Sequence, residues 1–302
     1  MWFWLSLIAL LCWSGSDLFS KIGCQGEDDH LAHLKMVIAV GTVMGLHAAF
    51  EIFVGGTEIS WSIIWTYLPV SLLYIGSMTL GYLGLRYIEL SVSSPICNSS
   101  GALVAVMTLL FVGGEDYSPL ALGAIVLVCV GAIGLGVVDA TEDPELRAAR
   151  QVEGNRKYSK SFLALALPAA YCLLDAAGTF ADNRVLETLD EGSANCAYEL
   201  TFLFAAVLCF IYVVFIKKDR LLLKREAPKY IGAICETAGQ FAYIYAIADT
   251  SHLAMSAPII SSYCAASVLW SRLFLKEKLS WKHYAMILLV VIGIAVMGVF
   301  DI

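Results

Sequence analysis

Long apolar runs alternate with short polar breaks along this chain, and the length of the runs decides what they are. A helix rising 1.5 Å per residue needs about 20 residues to cross a hydrocarbon core of about 30 Å. Runs of that kind fall at 2–22, 33–54, 62–84, 88–112 and 119–138, then at 162–183, 194–216, 228–248, 252–275 and 282–300. The breaks have their own chemistry: 25–30 is acidic, 113–119 is a turn and 217–229 is basic. The runs do not alternate with period two, which excludes a β-barrel, and helices satisfy their own backbone hydrogen bonds, as lipid requires. The pattern predicts an all-α membrane protein of ten transmembrane helices.

The longest connector, 139–161, is charged and holds Gly154 and Asn155. It divides the chain into a first five-helix unit at 1–138 and a second at 162–302. Laid over each other, the units match at awkward residues. Trp13 and Asp17 fall on Tyr171 and Asp175, Gly81-Tyr82 on Ala242-Tyr243, and Ser93-Ser94-Pro95 on Ser256-Ala257-Pro258. Glu115 and Ser118 fall on Glu277 and Ser280, Gly131 on Gly293, and Gly136 on Gly298. An odd number of spans per unit sends the second into the membrane upside down, giving a 5+5 inverted repeat. Such repeats mark secondary carriers with a binding site near the midplane; a duplicated structural protein or membrane enzyme would show the same pattern.

The segment 253–298 has a helix with Pro258, then Phe274-Leu275-Lys276-Glu277-Lys278-Leu279-Ser280, then an apolar helix with Gly293. It resembles the second half of ten-helix carriers of the drug/metabolite transporter superfamily, EamA-like branch, and 90–136 is a weaker copy. The resemblance implies a multi-pass carrier of small molecules without specifying the substrate. The first copy has Gly113-Gly114-Glu115-Asp116 in place of a glutamate flanked by bases, so no role passes to Glu115.

Charge adds an orientation. Lys and Arg gather in and beside the connectors after spans 1, 3, 5, 7 and 9, among them Arg147, Arg150, Lys217, Lys218, Lys276 and Lys278, with Arg184 the exception. Glu58, Asp116, Glu187, Asp190 and Glu191 lie on the other side. Positive residues stay cytoplasmic, so both termini are expected outside and 139–161 inside, in the cell (inner) membrane of a bacterium. Composition agrees: 59% hydrophobic and 15% charged lies outside the range of soluble domains, about 45–50% and about 25%. No basic patch interleaved with aromatics points to nucleic acid, and the first apolar run lacks the basic leader and small-residue cleavage site of a signal peptide. The nine cysteines form no C-x-x-C pair and read as small apolar packing residues.

An acid at the centre of a transmembrane helix costs about 2.5–3.5 kcal/mol and needs a reason. Asp175 sits deep in span 6, with Tyr171 one turn before it and Thr179 one turn after. Glu236 shares a face with Gln240 and Tyr243 at i+4 and i+7, Asp17 faces with Trp13, and Glu199 opens span 7 beside Tyr198. No Lys or Arg lies deep enough to pair with Asp175 or Glu236, whereas Lys21 is one turn from Asp17 and could neutralise it. The functional reading is a cavity for an organic cation, with Trp13, Tyr171 and Tyr243 adding cation–π attraction. In a second reading one acid is a proton site. In the plainest, the acids are hydrogen-bonded structural groups.

Pro95 and Pro258 are expected to kink spans 4 and 9 near this site, freeing the carbonyls of Ser91 and Ala254; Asn98, Ser99, Ser261 and Ser262 could answer those carbonyls or line the cavity, and hydrogen bonding between helices is the favoured role. The Gly131…Gly136 and Gly293…Gly298 runs read as packing surfaces, His47 as a satisfied structural group, and Trp2, Trp4 and Trp281 as interfacial anchors. No P-loop, H-E-x-x-H, nucleophile elbow, metal-ligand pattern or cofactor motif is present. The expectation is therefore a non-enzymatic secondary carrier, monomeric or homodimeric, without cofactor. Its favoured cargo is an amine or quaternary-ammonium cation, with proton coupling open. A neutral or zwitterionic metabolite such as an amino acid or nucleoside is the first alternative, and a membrane-embedded enzyme or lipid-handling protein the second.

Overall fold

A computed structural model describes residues 1–24, 29–87, 90–111, 117–141 and 162–300. Most of the predicted 139–161 connector, with Arg147 and Arg150, lies outside the described residues, as do Glu115, Asp116 and most of the acidic break at 25–30. Every regular element among the described residues is helical. In chain order they are α1 (Trp2–Cys24), α2 (Ala32–Phe50), α3 (Trp61–Tyr87), α4 (Leu90–Cys97), α5 (Ser100–Phe111) and α6 (Pro119–Ala140). Then follow α7 (Phe162–Val185), α8 (Glu191–Phe210), α9 (Leu223–Ile247), α10 (Leu253–Ser261), α11 (Tyr263–Phe274) and α12 (Trp281–Phe300). Single π-helical turns at Glu51–Gly55 and Ile211–Ile216 extend α2 and α8.

Among the described residues, eight helical stretches are long and apolar enough to cross a membrane. The chain is a multi-pass, all-helical membrane protein. The sequence predicts two further spans where α7 and α9 lie, the helices that carry Asp175 and Glu236.

Predicted spans 4 and 9 are each two helices. Proline cannot donate to the preceding turn, and α4 ends two residues after Pro95 while α10 ends three after Pro258. The hydroxyls and amide beyond each proline do answer carbonyls, though not those of Ser91 and Ala254. Asn98 Nδ2 donates to the Ser94 carbonyl (2.8 Å), Ser99 Oγ to Pro95 (2.9 Å) and Ser262 Oγ to Ile259 (2.5 Å).

The helices pair α1 with α9, α3 with α7, α2 with α8, α6 with α12 and α5 with α10. Without a hydrophobic drive between helices in lipid, such pairs depend on small residues that let backbones approach. A Cβ on Gly131 would stand 2.6 Å from Val290 and 2.8 Å from the Met286 carbonyl, and one on Gly293 would stand 2.6 Å from Val128 and 2.9 Å from the Ala124 carbonyl. Gly136 instead faces Ile96, and Gly298 the ring of Phe3.

The two ends of the bundle are tied differently. At one, an ionic cluster joins the start of α2 to the connector before α9. Lys35 Nζ lies 3.0 Å from Asp29 and 2.9 Å from Asp219, and Lys229 Nζ lies 2.7 Å from Glu226. At the other end, Asp190 caps α8 through the Ser193 amide (2.9 Å), and the Ser193 hydroxyl donates to the Glu58 carbonyl (2.8 Å). Trp4 and Trp281 are exposed as membrane anchors should be, but Trp2 is buried, its ring stacked at 4.8 Å on His252.

Candidate functional site

Inward faces of α1, α3, α4, α5, α7, α8, α9, α10 and α11 enclose a cavity whose walls are rich in aromatic rings and whose charges are carboxylates. Asp17, Asp175 and Glu236 all line it, together with Trp13, Tyr171, Gln240 and Tyr243. The three acids are deep in the bundle yet only half-buried, because their carboxylates open onto this space. No Lys, Arg or His appears among the described lining side chains.

Each acid is held by hydroxyls. Asp17 Oδ2 accepts from Ser94 Oγ of α4 (2.5 Å) and Ser267 Oγ of α11 (2.8 Å). Asp175 Oδ2 accepts from Ser100 Oγ of α5 (2.7 Å). Ser16 is the hydrogen-bond partner of the Glu236 side chain, while Trp13 Nε1 donates to the Glu236 carbonyl (3.3 Å). Lys21 directs its ammonium to the Leu85 carbonyl at 2.9 Å. A carboxylate with one or two hydroxyl donors keeps acceptor capacity, so each acid retains lone pairs for something in the cavity.

The aromatic wall is continuous. The Trp13 ring lies 5.0 Å from Tyr243 and 5.8 Å from Tyr263, and Tyr74 lies 5.8 Å from Tyr198 and 6.3 Å from Tyr243. Two buried polar atoms of wall residues, Tyr82 Oη and Gln240 Nε2, have no hydrogen-bond partner among the described residues. Buried polar groups are ordinarily paired, so both are positioned to meet a ligand or water.

Glu199 lies elsewhere. Successive helical residues are separated by about 100°, so Tyr198 reaches the cavity wall while Glu199 faces α2. There the carboxylate lies 2.9 Å from His47 Nδ1 and accepts from Asn195 at 3.1 Å. His47 is thus a paired group, with Glu199 as its partner. Pro95 and Pro258 are not on the wall but flank it: Ser94 and Asn98 line the cavity beside one, and Ala257 and Ser261 beside the other.

Sequence reasoning missed the tyrosines of α3, Tyr74 and Tyr82, and Tyr263 of α11, all on the wall. Tyrosine is common at membrane interfaces, which hid them. It also missed Asp182, fully buried at i+7 from Asp175. That spacing, on the same helical face as Thr179, was the available signal.

Residues 170–299, most of the second half, match the model of the EamA-like transporter family, part of the drug/metabolite transporter superfamily. No curated protein matches the chain. One crystal structure of a protein aligns over 99% of this chain and 98% of its own, with a TM-score of 0.65 and 15% identity. That likeness shows a shared fold.

Proposed function

We infer from an EamA-like second half and an acidic, aromatic cavity that the chain is a secondary carrier moving a small organic cation by alternating access. In this reading ten spans form two inverted five-helix units, 1–138 and 162–302, joined by 139–161, with both termini outside a bacterial cell membrane. The helix pairing supports the inverted repeat. Exchanging the units turns α1·α9 into α7·α3 and α5·α10 into α11·α4, returns α2·α8 and α6·α12 to themselves, and all of these pairs are present. The units would rock about the cavity, opening it to one side at a time.

One observation carries the substrate class: three carboxylates open into a single cavity with no described basic side chain on its wall. An uncompensated acid cluster in a low dielectric favours a cation strongly, and ring faces of Trp13, Tyr171 and Tyr243 add about 0.5–2 kcal/mol each where a cation sits over them. The test is binding and uptake of tetraethylammonium by the purified chain in lipid vesicles. Binding should be lost in the double variant Asp175→Asn/Glu236→Gln. Equal binding by wild type and double variant, or none by either, overturns the reading.

A second reading is favoured by Tyr82 Oη and Gln240 Nε2. Neutral hydrogen-bonding groups without partners among the described residues suit a zwitterionic or uncharged metabolite, with one acid serving a coupling proton. Competition separates the two: an amino acid or nucleoside that displaces a fluorescent probe where tetraethylammonium does not selects the second.

A further inference from the structure

Past Asp175, helix α7 presents Thr179 and Asp182 on the same face, at i+4 and i+7. Asp182 is 0% exposed. Its Oδ1 accepts from the Tyr67 hydroxyl at 2.8 Å and its Oδ2 from the Tyr74 hydroxyl at 3.3 Å. The Tyr74 oxygen lies 2.5 Å from the Tyr243 oxygen, and both hydroxyls reach Thr179 Oγ1, at 3.3 and 3.2 Å. Tyr74, Thr179 and Tyr243 line the cavity, whereas Tyr67 and Asp182 do not. A continuous file of oxygens therefore runs from the cavity wall to a carboxyl that cargo cannot reach.

The titratable groups facing Asp182 are Tyr67 and Tyr74 from α3, Tyr243 from α9, Tyr198 from α8, and Asp175 on its own helix. No Lys, Arg or His pairs with it among the described residues, and neighbouring Asn183 donates instead to the Ile247 carbonyl at 2.8 Å. An ion in such a place is costly unless it can be neutralised.

Hydroxyls can reverse their direction of donation, and this file uses that freedom. With Asp182 ionised, Tyr67 and Tyr74 donate to it, and Tyr243 donates to Tyr74 or Thr179. With Asp182 protonated, its hydrogen goes to Tyr74, that of Tyr74 to Tyr243, and that of Tyr243 to Thr179. No tyrosine or carboxyl hydrogen along the file is stranded in either state.

We propose that Asp182 is a proton-binding site, filled and emptied from the cavity through Tyr243 and Tyr74. On filling, a hydronium ion in the cavity protonates the Tyr243 oxygen. The hydrogen of Tyr243 passes to Tyr74, and that of Tyr74 to Asp182 Oδ2. Water remains in the cavity, one carboxyl has formed, and only O–H bonds are made or broken; emptying is the reverse. The file crosses from α3 to α7 and α9, so the proton sits at the seam that would move in the carrier reading on which this proposal rests.

The test is infrared difference spectroscopy of the full chain in lipid, without cargo, as the buffer is made acid. Wild type should develop a protonated-carboxyl band that Asp182→Asn lacks. Tyr74→Phe should keep the band but fill it more slowly after a pH jump, on the order of a hundred-fold, as expected when a positioned proton donor is removed. Asp182→Glu, which retains the carboxyl and moves its band, identifies the group if Asp182→Asn does not fold. Identical titrations in wild type and the Asp182 variants, or unchanged filling in Tyr74→Phe, overturn the proposal. Since no cargo is present, that failure leaves the carrier reading standing, and failure of tetraethylammonium binding leaves the infrared result intact.

Discussion

Gly131 and Gly293 make the same contact in opposite directions. Each lies against a valine and a backbone carbonyl of the other's helix, Gly131 on Val290 and Met286, Gly293 on Val128 and Ala124. Backbone carbonyls cannot swing aside as a flexible side chain can. An added methyl must therefore separate α6 from α12.

Gly131→Ala and Gly293→Ala should each destabilise the protein by about 1–3 kcal/mol through overpacking, with the helix-propensity gain of about 1 kcal/mol offsetting part of it. The two variants should lower the unfolding temperature in detergent by similar amounts. A neutral effect at either position would show that the helices do not approach as described.

Glu199 and His47 lie off the cavity wall, so Glu199→Gln should leave tetraethylammonium binding unchanged within about two-fold while lowering thermal stability. Loss of binding in a variant of normal stability would return Glu199 to the site.

Tyr243→Phe removes a hydroxyl that bonds Tyr74 and Thr179 across helices. Interhelical hydrogen bonds in membranes average about 0.6 kcal/mol, too little to unfold the chain. Normal melting with impaired uptake is the expected outcome in vesicles; a large drop in melting temperature would make the contact structural.

The ionic cluster gives a pH dependence. The Lys35 ammonium, 2.9 Å away, holds the Asp219 carboxyl below its ordinary range. A depressed acid contributes stability at pH above its unfolded value and loses it as the pH falls through the folded one. Asp219→Asn should therefore narrow its gap from wild type as buffer is acidified below the carboxylate range, read as melting temperature against pH. A gap that does not change with pH would mean that the pair contributes no stability through ionisation. Lys35→Ala is the harsher change. It removes the nearest cation of buried Asp29, leaving it Arg225 at 3.5 Å and Lys229 at 3.8 Å, and should lower the melting temperature further than Asp219→Asn does.

How much of this was legible follows from what lipid penalises. Acids in the middle of apolar runs stand out because oil tolerates them poorly, so Asp17, Asp175 and Glu236 were found in the sequence. Glu199 is equally conspicuous there, but a one-residue step on a helix changes the face, and only coordinates reveal that α2 brings His47 to it. Asp182 escaped notice because it lies three residues from the end of α7, among loop-like neighbours Asn183 and Arg184. Helix lengths were readable from the runs, whereas the breaks after Pro95 and Pro258 needed geometry, since a proline alone does not tell a bend from a stop. Trp2 looked like an anchor until His252 was seen to cover it.

The hydroxyls that hold Asp17 come from stretches far apart in the sequence, Ser94 ahead of the long connector and Ser267 beyond it. Anything that takes hold of that carboxylate competes with both grips together, and whatever it displaces is a stitch between α4 and α11. Arrival of a guest would thus spend part of its own affinity on unfastening the protein around it, so weak capture and ready passage would have a common cause.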